Sequence, residues 1–402
     1  MDVMQQAQVR IGMIGYKFMG KAHSNAYRQV PFFYGGSAVP VLQAISGRDA
    51  EEAGAAARQL GWAEVETDWR RLIERDDIDV VDIATPNHMH AEMAIAALAA
   101  GKHVLCEKPL AMSLQEAKRM QEAAARSGKV NMLMHNYRFA PAVQFAKKLI
   151  EEGKLGRIRH IRAVYLNQSM IDPNRPFRWR LSKQMAGFGA LGDIGSHIID
   201  LARFLVGEFQ EVSGLMETFV KQRPEADRSG QPDYSRMIPV DVDDAAAFLA
   251  KFECGAFGVF EATRYAGGNK NGNRFEINGE KGSVRWDFER MNELQVYFTD
   301  EDEAFRGFRT VNCTEAAHPY ASAFWPPGHV LGYEHTFINL IHELVEGVAR
   351  GTRPRPDFAD GVNNQAVMEA VAQSAELGRR VRIAELMGPS SGEHAMFSHG
   401  KE

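Results

Sequence analysis

An alternation of short apolar runs with helical patterns, sustained across the first third of the chain, most constrains its fold. Residues 9–15, 39–46, 78–84, 102–106 and 130–134 read as strands, and helical patterns occupy 18–30, 49–60, 67–75, 88–100 and 113–127. Strands that are apolar almost throughout are buried on both faces, as in a parallel sheet. Their alternation with helices predicts a doubly wound α/β domain over residues 1–136. The helix at 113–127 opens with Ser113 and Glu116 at capping-box spacing.

After about residue 156 the rhythm changes. Residues 157–168, 209–220, 244–253, 256–264, 273–278, 283–288 and 292–298 read as strands with few helices between them. Asn278 to Gly282 reads as a hairpin turn, with glycines suited to positive φ. This predicts an α+β domain over 137–388, built on a large open antiparallel sheet, with helices near 190–206, 332–348 and 358–378. Residues 221–240 read as a long loop, and 389–402 as a disordered tail. A chain of 402 residues exceeds what one hydrophobic core serves, in keeping with two domains.

A net charge of −5 argues against nucleic-acid or anionic-membrane partners. Cys106, Cys254 and Cys313 are too scattered for a disulfide framework, and no apolar run is long enough to span a bilayer. Met1 to Arg10 reaches a strand at once and leaves no room for a signal peptide, so a cytoplasmic protein is expected.

The first strand runs into Gly15-Tyr16-Lys17-Phe18-Met19-Gly20 and then a helix. A dinucleotide fingerprint uses glycines for a tight turn, close pyrophosphate approach and helix–strand packing. Gly15 and Gly20 hold the first and third positions, while Lys17 takes the second, either pointing outward or meeting the pyrophosphate. The second strand ends Ser46-Gly47-Arg48-Asp49. Glycine stands where NAD enzymes carry an acid, Arg48 suits a 2′-phosphate, and Asp49 suits a helix start, so the residues leave NAD and NADP open.

Three further segments carry chemistry: Thr85-Pro86-Asn87-His88-Met89-His90, Glu107-Lys108-Pro109, and Asp193 with His197. Spacing i, i+4 puts Asp193 and His197 on one helix face. Removing hydride from an alcohol needs a base for the hydroxyl proton, which a histidine supplies, and a lysine ammonium stabilises the developing alkoxide. His88 and His90 lack the cysteine or carboxylate partners of a metal site, and no metal is expected. Asn136, Tyr137 and Arg138 follow the last strand of the first domain, at the edge where ligands bind. Trp179, between Arg178 and Arg180, suits a sugar's apolar face. His329, Tyr333 and His335 flank a late helix and are further substrate-pocket candidates.

Together these segments resemble the glucose–fructose oxidoreductase / inositol dehydrogenase (Gfo/Idh/MocA) family, from Val9 to near Glu376. The most specific element is Glu107-Lys108-Pro109 combined with Asp193 and His197. The resemblance implies that Lys108, Asp193 and His197 line the junction of nicotinamide and substrate, with His197 as proton acceptor. It implies that Thr85, Pro86, Asn87 and His90 edge the cofactor, that Lys108-Pro109 is cis, and that the second sheet forms a homodimer or homotetramer. Segments 137–143, 189–200, 207–209, 240–244 and 260–264 most resemble the branch of sugar 3-dehydrogenases that includes levoglucosan dehydrogenase. That implies oxidation of the C3 hydroxyl of a glucose-like sugar, anhydrosugar or glycoside, and tips the cofactor narrowly to NAD, with Arg48 along the adenine face. The alternatives are an inositol dehydrogenase, an NAD-dependent glycosidase of the same family, and a non-catalytic nucleotide-binding regulator.

Overall fold

The computed structural model describes residues 6–227 and 229–388, so the expected disordered tail lies outside the described residues. The first half alternates as expected, with one further short strand between the second and third helices: β1 (Ala7–Ile14), α1 (Phe18–Phe33), β2 (Ala38–Ser46), α2 (Ala50–Leu60), β3 (Glu64–Glu66), α3 (Trp69–Glu74), β4 (Val80–Ile83), α4 (His90–Ala99), β5 (His103–Cys106), α5 (Leu114–Ser127) and β6 (Asn131–Leu133). The strands form one parallel sheet in the order β3-β2-β1-β4-β5-β6. Chain direction through the sheet reverses between β1 and β4, which opens a crevice at their carboxyl ends. The capping box of α5 is half formed. Ser113 Oγ accepts from Glu116 N at 3.2 Å, whereas the Glu116 carboxylate accepts from Met112 N at 3.1 Å.

The second half contains α6 (Pro141–Glu151), β7 (Ile158–Leu166), α7 (Lys183–Ala186), a π-helical turn (Leu191–Gly195) leading into α8 (Ser196–Leu205), β8 (Phe209–Glu217), β9 (Gln222–Ala226), β10 (Pro232–Pro239), β11 (Ala245–Phe252), β12 (Phe257–Thr263), β13 (Gly272–Gly279), β14 (Gly282–Asp287), β15 (Glu293–Phe298) and β16 (Arg309–Asn312). It closes with α9 (Tyr333–Arg350), α10 (Phe358–Leu377), β17 (Val381–Arg382) and α11 (Ile383–Met387). Nine strands make one open sheet, β16-β15-β14-β13-β7-β12-β11-β8-β17. Every neighbouring pair is antiparallel except β7 and β12, so the expected antiparallel sheet carries one parallel pair at its centre.

Three expectations need correction. Residues 221–240 are not a loop but mostly an antiparallel ribbon, β9 with β10. Its strands are polar and mostly exposed, so no apolar alternation marked them, and the buried Arg223 guanidinium anchors them by donating to Met170 O and Asp172 O, each at 2.6 Å. Gly279 and Gly282 do not adopt positive φ. They permit close approach instead: a Cβ would fall 2.1 Å from Leu155 O at Gly279 and 2.5 Å from Tyr297 O at Gly282. Helix α6, opened by Pro141 at its first turn, had no counterpart in the sequence reading.

The larger sheet packs its inner face, including Ala246, Phe248, Ala250 and Phe252 of β11, against α6, α8 and α10. Two late helices return to the first sheet. Phe337, Ile338, Ile341 and Leu344 of α9 share a core with Val9, Ile11, Met13 and Tyr27 beside α1. Phe358, Val362 and Ala366 of α10 join the core that contains α4 and α5. No helix among the described residues is long and apolar enough to cross a membrane.

Candidate active site

At the end of β1, Gly15 adopts φ 108°, and a Cβ there would sit 2.4 Å from Ala84 O. A Cβ on Gly20 would sit 2.4 Å from Gly15 O. These two glycines let β1, β4 and α1 close together. Helix α1 begins after Lys17 with neither a side-chain cap nor an acid in its first turn, which leaves its leading N–H groups free for an anion. Lys17 points outward, its Nζ 2.5 Å from Glu52 Oε2, and Tyr16 OH donates to the same oxygen at 2.9 Å. Phe18 is exposed, whereas Met19 faces the crevice. Gly47 has a steric cause: a Cβ would fall 2.0 Å from the Tyr16 ring, which fills the space an acidic side chain would need. Asp49 accepts from Glu52 N at 2.9 Å and caps α2. Arg48 is exposed and makes no ion pair among the described residues.

Thr85, Asn87, Glu107, Lys108 and Asp193 meet in one cleft between the two sheets, with Arg180 and Phe188 beside them. The Lys108-Pro109 peptide is cis, as expected. Lys108 Nζ donates to Asp193 O at 2.6 Å and lies 3.6 Å from Asp193 Oδ1. Arg180 Nε and the buried Arg264 Nη1 each stand 3.7 Å from the Asp193 carboxylate. Burial opposes ionisation of Asp193, but Lys108, Arg180 and Arg264 outweigh it and hold the carboxyl below its ordinary range. Asp193 lies in a π-helical turn rather than the expected α-helix, a feature that recurs at functional sites. Asp243 clamps the start of that turn, its carboxylate accepting from Gly189 N and Leu191 N at 2.7 Å each.

His197, at the start of α8, is buried against the Tyr137 ring, with centroids 4.6 Å apart, and near Tyr165 and His135. Burial, then the Lys108 charge and His135, push its pKa well below the ordinary value, so the imidazole is neutral at neutral pH. Tyr137 and Tyr165 share a hydroxyl hydrogen bond of 2.8 Å, and Tyr165 donates onward to Asn271 at 2.5 Å. Tyr333 stands 6.3 Å from the Tyr137 ring, in the same wall. Trp179 lies beneath Arg180, whose guanidinium is 4.4 Å from the indole centroid.

Residues 9–135 match the oxidoreductase family with an NAD-binding Rossmann fold, and residues 143–285 match the GFO/IDH/MocA C-terminal domain. The chain belongs to the Gfo/Idh/MocA family. This Gfo/Idh/MocA oxidoreductase is 46% identical over 377 residues to levoglucosan dehydrogenase of Pseudarthrobacter phenanthrenivorans, covering 91% of this chain and 96% of that one. Its structure is similar to an oxidoreductase domain protein from Kribbella flavida, with TM-score 0.90, 51% identity, and coverage of 94% and 100%. It is equally similar, at TM-score 0.90 and 45% identity, to levoglucosan dehydrogenase in complex with NADH and levoglucosan, covering 94% and 99%.

Several candidates of this family member lie away from the cleft. Asn136 donates to Thr336 Oγ1 at 2.8 Å, and Arg138 makes a buried bidentate pair with Asp200 at 2.7 and 2.6 Å. His90 is fully buried beneath the loops, its ring nitrogens 3.0 Å from Pro109 O and Thr85 O; the neutral ring donates to only one of them, and it sits between the two loops without facing the cleft. Pro86 starts the short turn that orients Asn87, which donates to Ala186 O at 3.0 Å and joins the two halves. His329 is exposed, its Nδ1 2.8 Å from Pro326 O, and His335 accepts from Gly332 N at 3.0 Å to cap α9. His23, Asp82, His135, Tyr165, Arg264 and Asn271 also line or support the site without standing in any of its sequence motifs. Of these, only His23 carried a local signal, three residues past Gly20 on a helix that the fingerprint already placed at the site.

Proposed function

We propose that the chain is an NAD-dependent dehydrogenase that oxidises a ring hydroxyl, at C3, of a glucose-like sugar, anhydrosugar or glycoside to the ketone. The observation that carries this reading is the convergence of Lys108 and an ionised Asp193 beside a neutral His197 that makes no hydrogen bond among the described residues. The glycine turn and free α1 N–H groups fit a pyrophosphate, with Thr85, Asn87 and Met19 at the cleft and Arg48 near the adenine end. When bound, the nicotinamide supplies the hydride acceptor. His197 takes the hydroxyl proton onto its free ring nitrogen, because only the neutral imidazole has a lone pair to offer. Lys108 Nζ holds the oxygen as its charge grows, where a low-dielectric site makes that contact strong. Asp193, kept ionised by three cations, accepts from neighbouring sugar hydroxyls and fixes the ring.

The likeness to levoglucosan dehydrogenase over most of the chain supports the glucose-like substrate, and the C3 position is carried over from the resemblance of segments 137–143 and 189–200 to sugar 3-dehydrogenases. The NADH in its structural relative supports NAD. The outer face of the nine-stranded sheet exposes Leu215, Leu249, Phe257 and Val259, a patch that supports assembly as a homodimer or homotetramer through this sheet.

The test is cofactor reduction across levoglucosan, simple glucosides, glucose and inositols, with NAD and NADP in parallel, and product identification by NMR. Turnover of a glucose-like ring with NAD to a 3-ketone is the expected result. Preferential inositol oxidation would replace the substrate. Aglycone release without net cofactor reduction would replace the reaction, and binding without turnover would leave a nucleotide-binding regulator.

A further inference from the structure

We propose that His23 is a positioning residue for Lys108: wedged between the carboxylates of Asp82 and Glu107, it locks the nucleotide-binding helix to the segment that carries the ammonium. The proposal rests on the role given to Lys108 above.

His23 lies on α1, Asp82 on β4, and Glu107 directly after β5, so three elements of the first sheet meet at one imidazole. Its Nδ1 is 3.0 and 2.9 Å from the two Asp82 oxygens, and its Nε2 is 3.0 Å from Glu107 Oε1. The other oxygen of Glu107 accepts from Lys108 N at 3.0 Å. Glu107 is thus held at both ends, one oxygen on His23 and one on the backbone that aims Lys108 Nζ at Asp193. With a carboxylate at each ring nitrogen, and Glu107 held in its ionised form, both nitrogens donate and the ring is an imidazolium.

The groups packed around the triad agree. Tyr27 on α1, Cys106 on β5 and Tyr333 on α9 are held neutral by burial and by these carboxylates, and His90 on α4 stays neutral by burial. Against its burial, His23 lowers the Glu107 pKa most, by hydrogen bond and by charge, with Lys108 and then His90 adding to it. Burial alone would strip the His23 proton, but Asp82 and Glu107 outweigh it and raise its pKa to about 10. A buried charged triad is a poor stability device, since apolar packing serves stability as well or better. What it supplies is a fixed geometry, and a displacement near 1 Å at a reacting group costs roughly 10²-fold in rate.

The experiment compares wild type with His23→Gln in full-length enzyme, on the best sugar of the panel above. Gln removes the charge and cannot donate to both carboxylates. The expected result is kcat lowered about 10²-fold, with sugar KM and directly titrated NADH affinity within about twofold. Unchanged kcat per active site, with only a lower melting temperature, would make His23 structural and overturn the proposal. Should His23→Gln not fold, Glu107→Gln supplies the second test. Loss of the His23 proton as pH rises toward 10 is expected to bring kcat down in wild type; Glu107→Gln removes one of the two carboxylates that hold the imidazolium, so this fall moves to lower pH, and an unmoved limb would overturn the proposal. Absence of sugar turnover by wild type would instead refute the dehydrogenase reading itself.

Discussion

His197 sits among aromatic rings with its polar atoms unengaged, which a histidine tolerates only when neutral. His197→Ala is expected to lower turnover by about 10²–10⁴-fold while NADH affinity, titrated by fluorescence, stays nearly unchanged. The sign of the pH effect follows from the depressed pKa. The base is available above its own pKa, so the acid limb of kcat/KM in the free enzyme falls below pH 6.5, the ordinary histidine value. At the other end of the cofactor site, Arg48→Ala should weaken NADH and NADPH by similar modest amounts, roughly 0.5–1 kcal/mol each, as for an exposed flat cation on a ring. A selective loss of NADPH binding would show that Arg48 reads a phosphate. The meeting of Lys108 and Asp193 in one cleft was legible because each sits in a motif whose chemistry is explicit in its residue types. Asn136 and Arg138 misled because a strand-end position does not reveal which way a side chain turns. Arg138 turns inward to Asp200 and Asp360, partners far away in the chain that no local pattern announces.

Among elements, the π-helical turn before α8 depends on a glycine. A Cβ at Gly189 would fall 1.8 Å from Asp243 O and 2.9 Å from Arg264 Nη2, both in crowded, buried surroundings. Backbone rather than a flexible side chain blocks it, so Gly189→Ala must displace the clamp at Asp243 and, with it, the turn that carries Asp193. Its expected effect is a destabilisation of about 1–3 kcal/mol, measured by denaturant melts, together with a loss of kcat larger than the loss of folded protein explains. Five of the six strands of the first sheet were legible because they are largely apolar and buried, whereas the edge strand β3, Glu64–Glu66, is mostly polar and exposed and was not. The β9–β10 ribbon was not, because a two-stranded ribbon in solvent needs no apolar face. The parallel β7–β12 pair was equally hidden, since strand patterns report burial and carry no information about neighbours.

For the molecule as a whole, buried histidines set how stability varies with pH. His135 is neutral in the fold, its pKa lowered to about 4 chiefly by burial, against an ordinary 6.5. Between those values the unfolded chain binds the extra proton, so stability falls as pH drops from 6.5 toward 4. His23 works oppositely: raised to about 10, it contributes fully below 6.5 and loses that contribution as pH rises toward 10. A melting temperature that peaks between these limbs, with the alkaline limb flattened in His23→Gln, is the expected calorimetric result. Assembly is tested separately. Leu249→Glu places a charge at the centre of the outer apolar patch, opposite Val259 in the ladder, and should shift sedimentation toward monomer.

Helix α9 lies some two hundred residues downstream of β6, yet its apolar side chains complete the core beneath β1 and α1. The nucleotide-binding half is therefore not a cassette. A gene fragment ending at residue 136 would encode a sheet with one flank bare, and a chimaera that exchanged cofactor preference by swapping that fragment would set a foreign helix against its first strand. Shuffling within such a lineage has to proceed by single substitutions around Tyr16, Gly47 and Arg48 or by exchange of whole genes, because the cut that looks natural in the sequence runs through the middle of a core.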